Sequence, residues 1–260
     1  MRSIEGFEKV FREVSGHNDI LDTLQDFLEW TIAAWSHTIK HKKQYTQQDM
    51  ENFSLLNREW VLLMNDMLNS KYEWFDAFGQ LYESNASKSR RDTKGQFFTP
   101  ESVVNLQVEI IGTLNPEKKG GAVSDPACGS GRYSIAHHAY TKGGYYYVNE
   151  DIDYLCCLMT VMNMLIHGAV GEVIWHDALD PDSFFGAWAV NHDLNKKGVP
   201  HIEELKYEDS FLWEVRENRR LQVEKERQDK LDDVCTDKLN KLNNTAQFSL
   251  TFDFDEPKDN

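Results

Sequence analysis

The sequence predicts an α/β protein built on a parallel sheet, with helical segments before and after it. Three observations predict it. Short strand-like runs alternate with helix-length stretches between residues 95 and 202. Apolar residues recur at helical spacing between residues 20 and 84. A long, charged and sparsely apolar stretch follows from residue 203. A length of 260 residues allows one core domain and an extension. The expected organisation is a helical N-terminal domain (1–94), a central α/β domain (95–202) and a charged helical C-terminal extension with an acidic tail (203–260).

Leu21, Leu24, Phe27, Leu28, Ile32, Trp35 and Ile39 form one helical stripe, and Leu55, Leu56, Val61, Leu62, Met64 and Leu68 a second, over about 52–69. A third, aromatic helix is expected over 72–82, closed by the polar loop 83–94. In the central part, residues 122–124, 145–149 and 172–175 read as strands. Helices are expected between them, around 131–142 and 152–167. The final part reads as a helix or helix pair over 203–246, then an alternating strand at 248–254.

Hydrophobic residues make up 40% of the chain and charged residues 27%, which excludes a disordered or fibrous protein. The longest apolar stretch, 154–166, is interrupted by Thr160 and Asn163 and is too short to span a bilayer. Residues 1–6 lack the apolar run of a secretory signal, and no Cys-x-x-Cys pair occurs, so reduced thiols in a cytoplasmic protein are expected. The nine histidines show no metal-ligand spacing, and no metal is expected; His137, His138 and His167 read as packing or surface residues.

The net charge of −15 bears on partners. Residues 1–94 carry 12 basic and 15 acidic groups, 95–202 carry 6 and 12, and 203–260 carry 10 and 16. None of these segments is a strongly basic footprint, although phosphate neutralisation dominates sequence-independent DNA affinity. Local basic clusters occur at 40–43 and 88–94. Contact with DNA is therefore expected to be weak for the chain alone and to need a partner that supplies charge.

The sharpest signal is Asp125-Pro126-Ala127-Cys128-Gly129-Ser130-Gly131, directly after the first expected strand. A strand feeding a glycine-rich turn and a helix start brings free backbone amides close to a ligand. The leading Asp suits an ammonium group. Without Gly-x-x-x-x-Gly-Lys this is not a nucleoside-triphosphate loop, and without Gly-x-Gly-x-x-Gly it is not a dinucleotide fingerprint.

Over about 95–180 these residues resemble the N6-adenine DNA methyltransferases, specifically the modification subunits of type I restriction-modification systems. The run Gly95-Gln96-Phe97-Phe98-Thr99-Pro100 is similar to the family's Gly-x-Phe-Tyr-Thr-Pro segment, and 125–131 to its cofactor loop. Glu150-Asp151-Ile152 follows the second strand, His167-Gly168 ends the next helix, and His176-Asp177-Ala178-Leu179 resembles a Gly-Asp-Thr-Leu segment. The resemblance implies a class I S-adenosylmethionine-dependent methyltransferase fold, Rossmann-like, with that cofactor held at the carboxyl ends of the first three strands. It implies Phe98, Thr99, Pro100, Asp125, Ala127, Gly129 and Gly131 around the methionine part. Asp151 or Glu150 would hold the ribose beside Ile152, with Asp151 favoured by position, and Asp177 with Ala178 the adenine. Thr99-Pro100 also reads as a helix start, and Asp177 as a turn cap.

One family element is missing. The Asn/Asp-Pro-Pro-Tyr/Phe motif that would hold the target amine has no counterpart, since none of the six prolines is adjacent to another. In its place stands the segment 184–194, where Asn191 is the candidate replacement amide, Trp188 the candidate stacking ring and His192 a proton acceptor. Two functions follow: a DNA adenine methyltransferase completed by a partner, or a cofactor-binding or structural subunit of a modification complex.

Overall fold

The computed structural model describes residues 3–70, 72–86, 98–114, 120–180 and 182–248, with side chains to residue 241 except those of 113 and 114. They divide into two compact units, one ending at Phe211 and one beginning at Leu212.

Four helices open the first unit: α1 (Ile4–Ser15), α2 (Ile20–Ala34), α3 (Gln47–Leu68) and α4 (Ala77–Asn85). Each starts on a side-chain cap, from Ser3, Asp19, Thr46 and Asp76, which satisfies amides that have no partner within the helix. Thr46 and Asp49 form a reciprocal capping box. α1 has the spacing Ile4, Phe7, Phe11, Ser15 behind a Ser cap, a pattern present in the sequence but not used above. The expected stripe from Leu21 to Ile39 stops short. Ser36 turns its hydroxyl onto the amides of Thr38 and Ile39, which draws the backbone out of the helix after Ala34. The aromatic helix likewise begins only at Ala77, because Asp76 caps it there.

After α5 (Glu101–Leu114) come β1 (Ala122–Asp125), α6 (Arg132–Thr141), β2 (Tyr146–Asp151), α7 (Tyr154–His167) and β3 (Val170–Trp175). The three strands pair in parallel through right-length helical crossovers, as expected. The rest of the sheet is not parallel. β4 (Gly186–Val190) lies antiparallel to β3, and β5 (Ile202–Glu204) antiparallel to β4, giving a mixed sheet in the order β1-β2-β3-β4-β5. Only residues 176–185 connect β3 to β4, fewer than a parallel crossover needs. A short helix, α8 (Leu194–Lys197), links β4 to β5. Among the described residues β1 is an edge strand, and its residues are half-buried to exposed, whereas the middles of β2 and β3 are buried.

One large hydrophobic core joins the helices to the sheet, and a small separate cluster of Val104, Val108 and Ala136 lies between α5 and α6. The large core links Phe11, Phe27, Trp60 and Phe78 of the helices to Leu158 and Met162 of α7 and to Tyr147 and Val173 of the sheet. The boundary expected at residue 94 is thus not a boundary between cores, and α1–α4 form a helical layer packed on the α/β part.

The second unit holds most of α9 (Phe211–Phe248), whose side chains up to Lys241 are exposed or half-exposed and linked by pairs such as Gln222–Glu226 and Gln228–Asp232. The part expected to be helical from 203 instead opens with β5 and a 3₁₀ turn at Tyr207–Asp209. Residues 249–254 and the basic run 88–94 lie outside the described residues. The other basic cluster is engaged: Lys43 pairs with Asp26, and Lys42 donates to Tyr154 at 3.1 Å. No helix among the described residues is long and apolar enough to cross a membrane. The four cysteines are free.

His167 closes α7 with both ring nitrogens used. Nε2 accepts the Phe75 amide at 3.2 Å, so Nδ1 carries the proton and donates to the Asn163 carbonyl at 2.7 Å. Burial, opposed by the bond to Asn163, lowers its pKa from 6.5 to about 4. The unfolded chain therefore binds this proton first on acidification. Stability is fully present above about pH 6.5 and is lost as pH falls toward 4. Urea unfolding at pH 7.0 and 4.5 should show a loss of roughly 2–3 kcal/mol from this group, absent in His167→Gln.

Candidate ligand-binding site

A cavity of about 640 Å³ opens at the carboxyl ends of β1 and β2. Its floor is the turn 126–131. The Cys128 amide donates to the Glu150 carbonyl (3.0 Å), the Gly129 amide to Asp151 Oδ2 (2.9 Å), and Thr160 Oγ1 to the Gly129 carbonyl (2.9 Å). The turn is thereby stitched to the end of β2 and to α7. Gly129 has φ +57°, and a Cβ there would stand 2.9 Å from the Phe98 ring. Gly131, with φ +81°, is the N-cap of α6, and a Cβ on it would stand 2.9 Å from Thr160 Cγ2. Both positions require glycine for conformation and for close approach. No side chain caps α6, so its first amides face the turn.

Two carboxylates face the cavity. Asp125 Oδ1 accepts from the Ala127 amide at 3.3 Å, and Asp151 accepts from the amides of Gly129 and Asp153. Burial pushes both carboxyls above the usual carboxylate range, more than these amides pull them down. The opposite wall is Phe98 and Thr99 with Val104, Gln107 and Ile111 of α5. Phe98 is held by the Tyr82 ring at 5.2 Å and by the Arg132 guanidinium 5.5 Å above its own ring. Val123, Ser124, Arg132, Tyr133 and Cys156 complete the lining. Burial pushes the thiols of Cys128 and Cys156 well up, so neither is a ready nucleophile.

Of the residues the sequence pointed to, Phe98, Thr99, Asp125, Ala127, Gly129, Asp151 and Ile152 line this cavity. Others stand elsewhere. Gly131 ends the turn and faces Thr160 rather than the cavity. The Pro100 carbonyl accepts the Val103 and Val104 amides and begins α5, the helix-start alternative. Glu150 is 3% exposed and outside the lining, its carboxylate held by His176 Nε2 at 2.7 Å and by Ser124 Oγ at 3.5 Å. Asp177 caps a turn by accepting the Leu179 amide at 2.9 Å, and neither it nor Ala178 lines the cavity.

Asn191 requires a correction. Its amide Nδ2 donates to the carbonyls of Met164, Leu165 and Ala169, which closes the carboxyl end of α7. It is fully buried, in the left-handed backbone region that Asn tolerates. A place after a fourth, parallel strand would have set it beside the cavity, but β4 runs antiparallel and carries Asn191 back past the amino end of β3, where Val190 pairs with Gly171. His192 is there too, 2.9 Å from the Gly171 carbonyl, and Trp188 packs on Tyr154.

Residues 64–196, just over half of the chain, match the model of the family described as N-6 DNA Methylase. The chain belongs to this family. Relatives of the N-6 DNA methylase include the type I restriction enzyme MjaIX methylase subunit of Methanocaldococcus jannaschii, 27% identical over 64% of this chain and 30% of its own length. The HindI methylase subunit of Haemophilus influenzae is 32% identical over 36% of this chain and 22% of its length. The chain thus spans less than a third of the curated relatives it matches. It is also similar to the solved type I restriction-modification methyltransferase subunit of Streptococcus thermophilus (19% identity, TM-score 0.38, covering 69% of this chain and 40% of that one). A class I S-adenosylmethionine-dependent methyltransferase of Listeria monocytogenes gives 13% identity and TM-score 0.41, covering 68% of this chain and 54% of that one.

The helix start at Thr99-Pro100 stood only as an alternative in the sequence, and the cavity face of α5 was missed: Val104, Gln107 and Ile111 recur at spacings of three and four, and that period was the available signal. A test of the turn compares Gly129 with Gly198, a left-handed glycine at φ +69° and ψ 9° that ends α8. Around Gly198 nothing lies within 4 Å of an added Cβ, so Gly198→Ala should cost only the backbone term, about 1–2 kcal/mol. Gly129→Ala should cost at least ~1 kcal/mol more in urea unfolding, because Phe98 must also give way. Equal losses would show that Phe98 yields freely.

Proposed function

We propose that this chain is the S-adenosylmethionine-binding part of a DNA adenine-N6 methylase of the type I modification kind, which modifies DNA with a further polypeptide. The observation that carries this reading is the convergence on one cavity of the Phe98-Thr99 wall, the turn 126–131 and Asp151, in a member of the N-6 DNA methylase family.

The residues fit the cofactor. At Gly129 the absence of a Cβ lets the Phe98 ring lie against the turn, so that backbone and ring close on the same cavity. Asp125 and Asp151 offer carboxylates to an ammonium group and to hydroxyls, and Phe98, Val104, Ile111 and Ile152 offer apolar surface to flat or thioether parts. When bound, S-adenosylmethionine supplies an electrophilic methyl group on sulfonium. The chain's residues orient it, and the cavity walls limit water at the reacting end.

A target amine needs more. The lone pair of the adenine N6 is delocalised into the ring, so attack requires acceptors that hold the amine in line, a positioning task sensitive to about 1 Å. Among the described residues the cavity lining contains no Asn and no Pro-Pro unit, and Asn191 is committed to α7. The open edge of β1, directly beside the cavity, is where a further polypeptide would bring that function. These same observations favour a second reading, in which the chain binds the cofactor as a subunit and does not itself transfer methyl. DNA contact through a partner suits the charge of −15.

Calorimetry with S-adenosylmethionine or its demethylated product should show binding that Asp151→Ala weakens by roughly 10–100-fold, as expected for a lost charge-assisted hydrogen bond. Because both carboxyls sit above the usual range, affinity should fall on acidification at a higher pH than for ordinary aspartates. Tritiated methyl transfer to genomic DNA should be slow or absent with the chain alone. Rapid transfer by the chain alone would reject the need for a further polypeptide, and absence of any cofactor binding would reject the whole reading.

A further inference from the structure

Asp76 is wholly buried and outside the cavity lining, yet four donors converge on its carboxylate. Oδ1 accepts from the Gly79 amide (2.8 Å) and Asn163 Nδ2 (2.7 Å), and Oδ2 from Ser130 Oγ and Arg132 Nε (both 2.6 Å). Gly79 belongs to the helical layer, Asn163 to α7, and Ser130 to the turn that floors the cavity. Arg132 continues the chain of contacts. Its guanidinium donates to Glu83 Oε2 (2.6 Å) and to the Thr99 carbonyl (3.2 Å), and lies over the Phe98 ring. Asn163 Nδ2 also donates to the Ser130 carbonyl at 2.8 Å.

The floor is therefore fastened to Asp76 through Ser130, and the Phe98-Thr99 wall to Arg132, a buried cation whose counter-charges, Asp76 and Glu83, both come from the helical layer. A buried guanidinium without its partner is strongly disfavoured, so loss of Asp76 drives Arg132 to move. Ser130 and Thr99 are tied to the same groups. We propose that Asp76 is a positioning residue for the ligand cavity: through Ser130 and Arg132 it holds the turn and the Phe98-Thr99 wall at their separation, so that ligand affinity is set from the helical layer. As a statement about cofactor affinity this rests on the function proposed above; as a statement about the turn it does not.

The test has an arm that needs no ligand. Cys128 sits in the turn and is buried, Cys157 is buried in α7, and Cys235 is exposed. Alkylation by iodoacetamide, followed peptide by peptide by mass spectrometry, reports each thiol separately, with Cys235 as the internal reference. In Asp76→Asn, which keeps size but removes the charge and presents an amide N–H to former donors, Cys128 should react at least ~10-fold faster while Cys157 stays protected. The demethylated cofactor should bind at least ~10-fold more weakly in calorimetry. Unchanged Cys128 reactivity, or an equal rise at Cys128 and Cys157, overturns the proposal, since the second is general loosening of the fold. Unchanged cofactor affinity in a variant whose Cys128 is released overturns the link to affinity. If the wild-type chain binds no cofactor, the reading of the preceding subsection fails, and the alkylation arm still decides the role of Asp76. Should Asp76→Asn not fold, Ser130→Ala removes one hydroxyl from the same contact and should release Cys128 several-fold without exposing Cys157; no release overturns the proposal.

Discussion

Arg132 stands at the first position of α6 with its side chain almost wholly buried, and the surrounding structure is arranged to make that tolerable. A guanidinium removed from water needs opposite charge and hydrogen-bond acceptors on several sides. Asp76 and Glu83 provide the charge from α4 and its cap, and the Thr99 carbonyl provides a further acceptor. The position of α4 against α6 is then determined by electrostatics as well as by packing. Apolar contacts extend the same junction: Phe78 packs with Phe27 and Trp60 in the core that also contains Leu158 and Met162. Helical layer and sheet are consequently one cooperative body, although their sequence patterns differ.

Much of the site was legible because its demands are local. A strand, a turn with two left-handed glycines and a helix start within eleven residues leave a signature that few other structures produce, and 122–132 has it. Seven of the proposed lining residues lie on that signature or on the segments at 98–100 and 150–152. What was not legible depended on choices between nearly equivalent neighbours or on long-range pairing. Glu150 and Asp151 are adjacent acids at the end of one strand, and only the pleat decides that Asp151 faces the cavity while Glu150 meets His176. Asp177 met its turn-capping alternative.

Strand direction was the larger failure. Alternating strands and helices argue for a parallel sheet, and the rule holds for β1, β2 and β3 because a helix fills each interval. It fails for β4, where 176–185 holds no helix, and with it fails the placement of Asn191. Length of connection carried that information, more reliably than order along the chain. α2 shows the same kind of limit at smaller scale: the apolar period continues to Ile39, but Ser36 and the bond from Ile202 to the Trp35 carbonyl end the helix at Ala34.

The two margins of the sheet are treated differently, and this gives the sheet a polarity of growth. At the β5 margin, Ile202 donates to the Trp35 carbonyl and Glu204 to Thr38 Oγ1, so residues 35–38 occupy the outer edge of a strand only three residues long. At the β1 margin no strand is paired among the described residues. A strand added at that margin would lie next to Asp125, in the lining of the cavity. Growth of the sheet there and access to the cavity would then be coupled: what enlarged the sheet would also rebuild the rim through which a ligand enters and leaves.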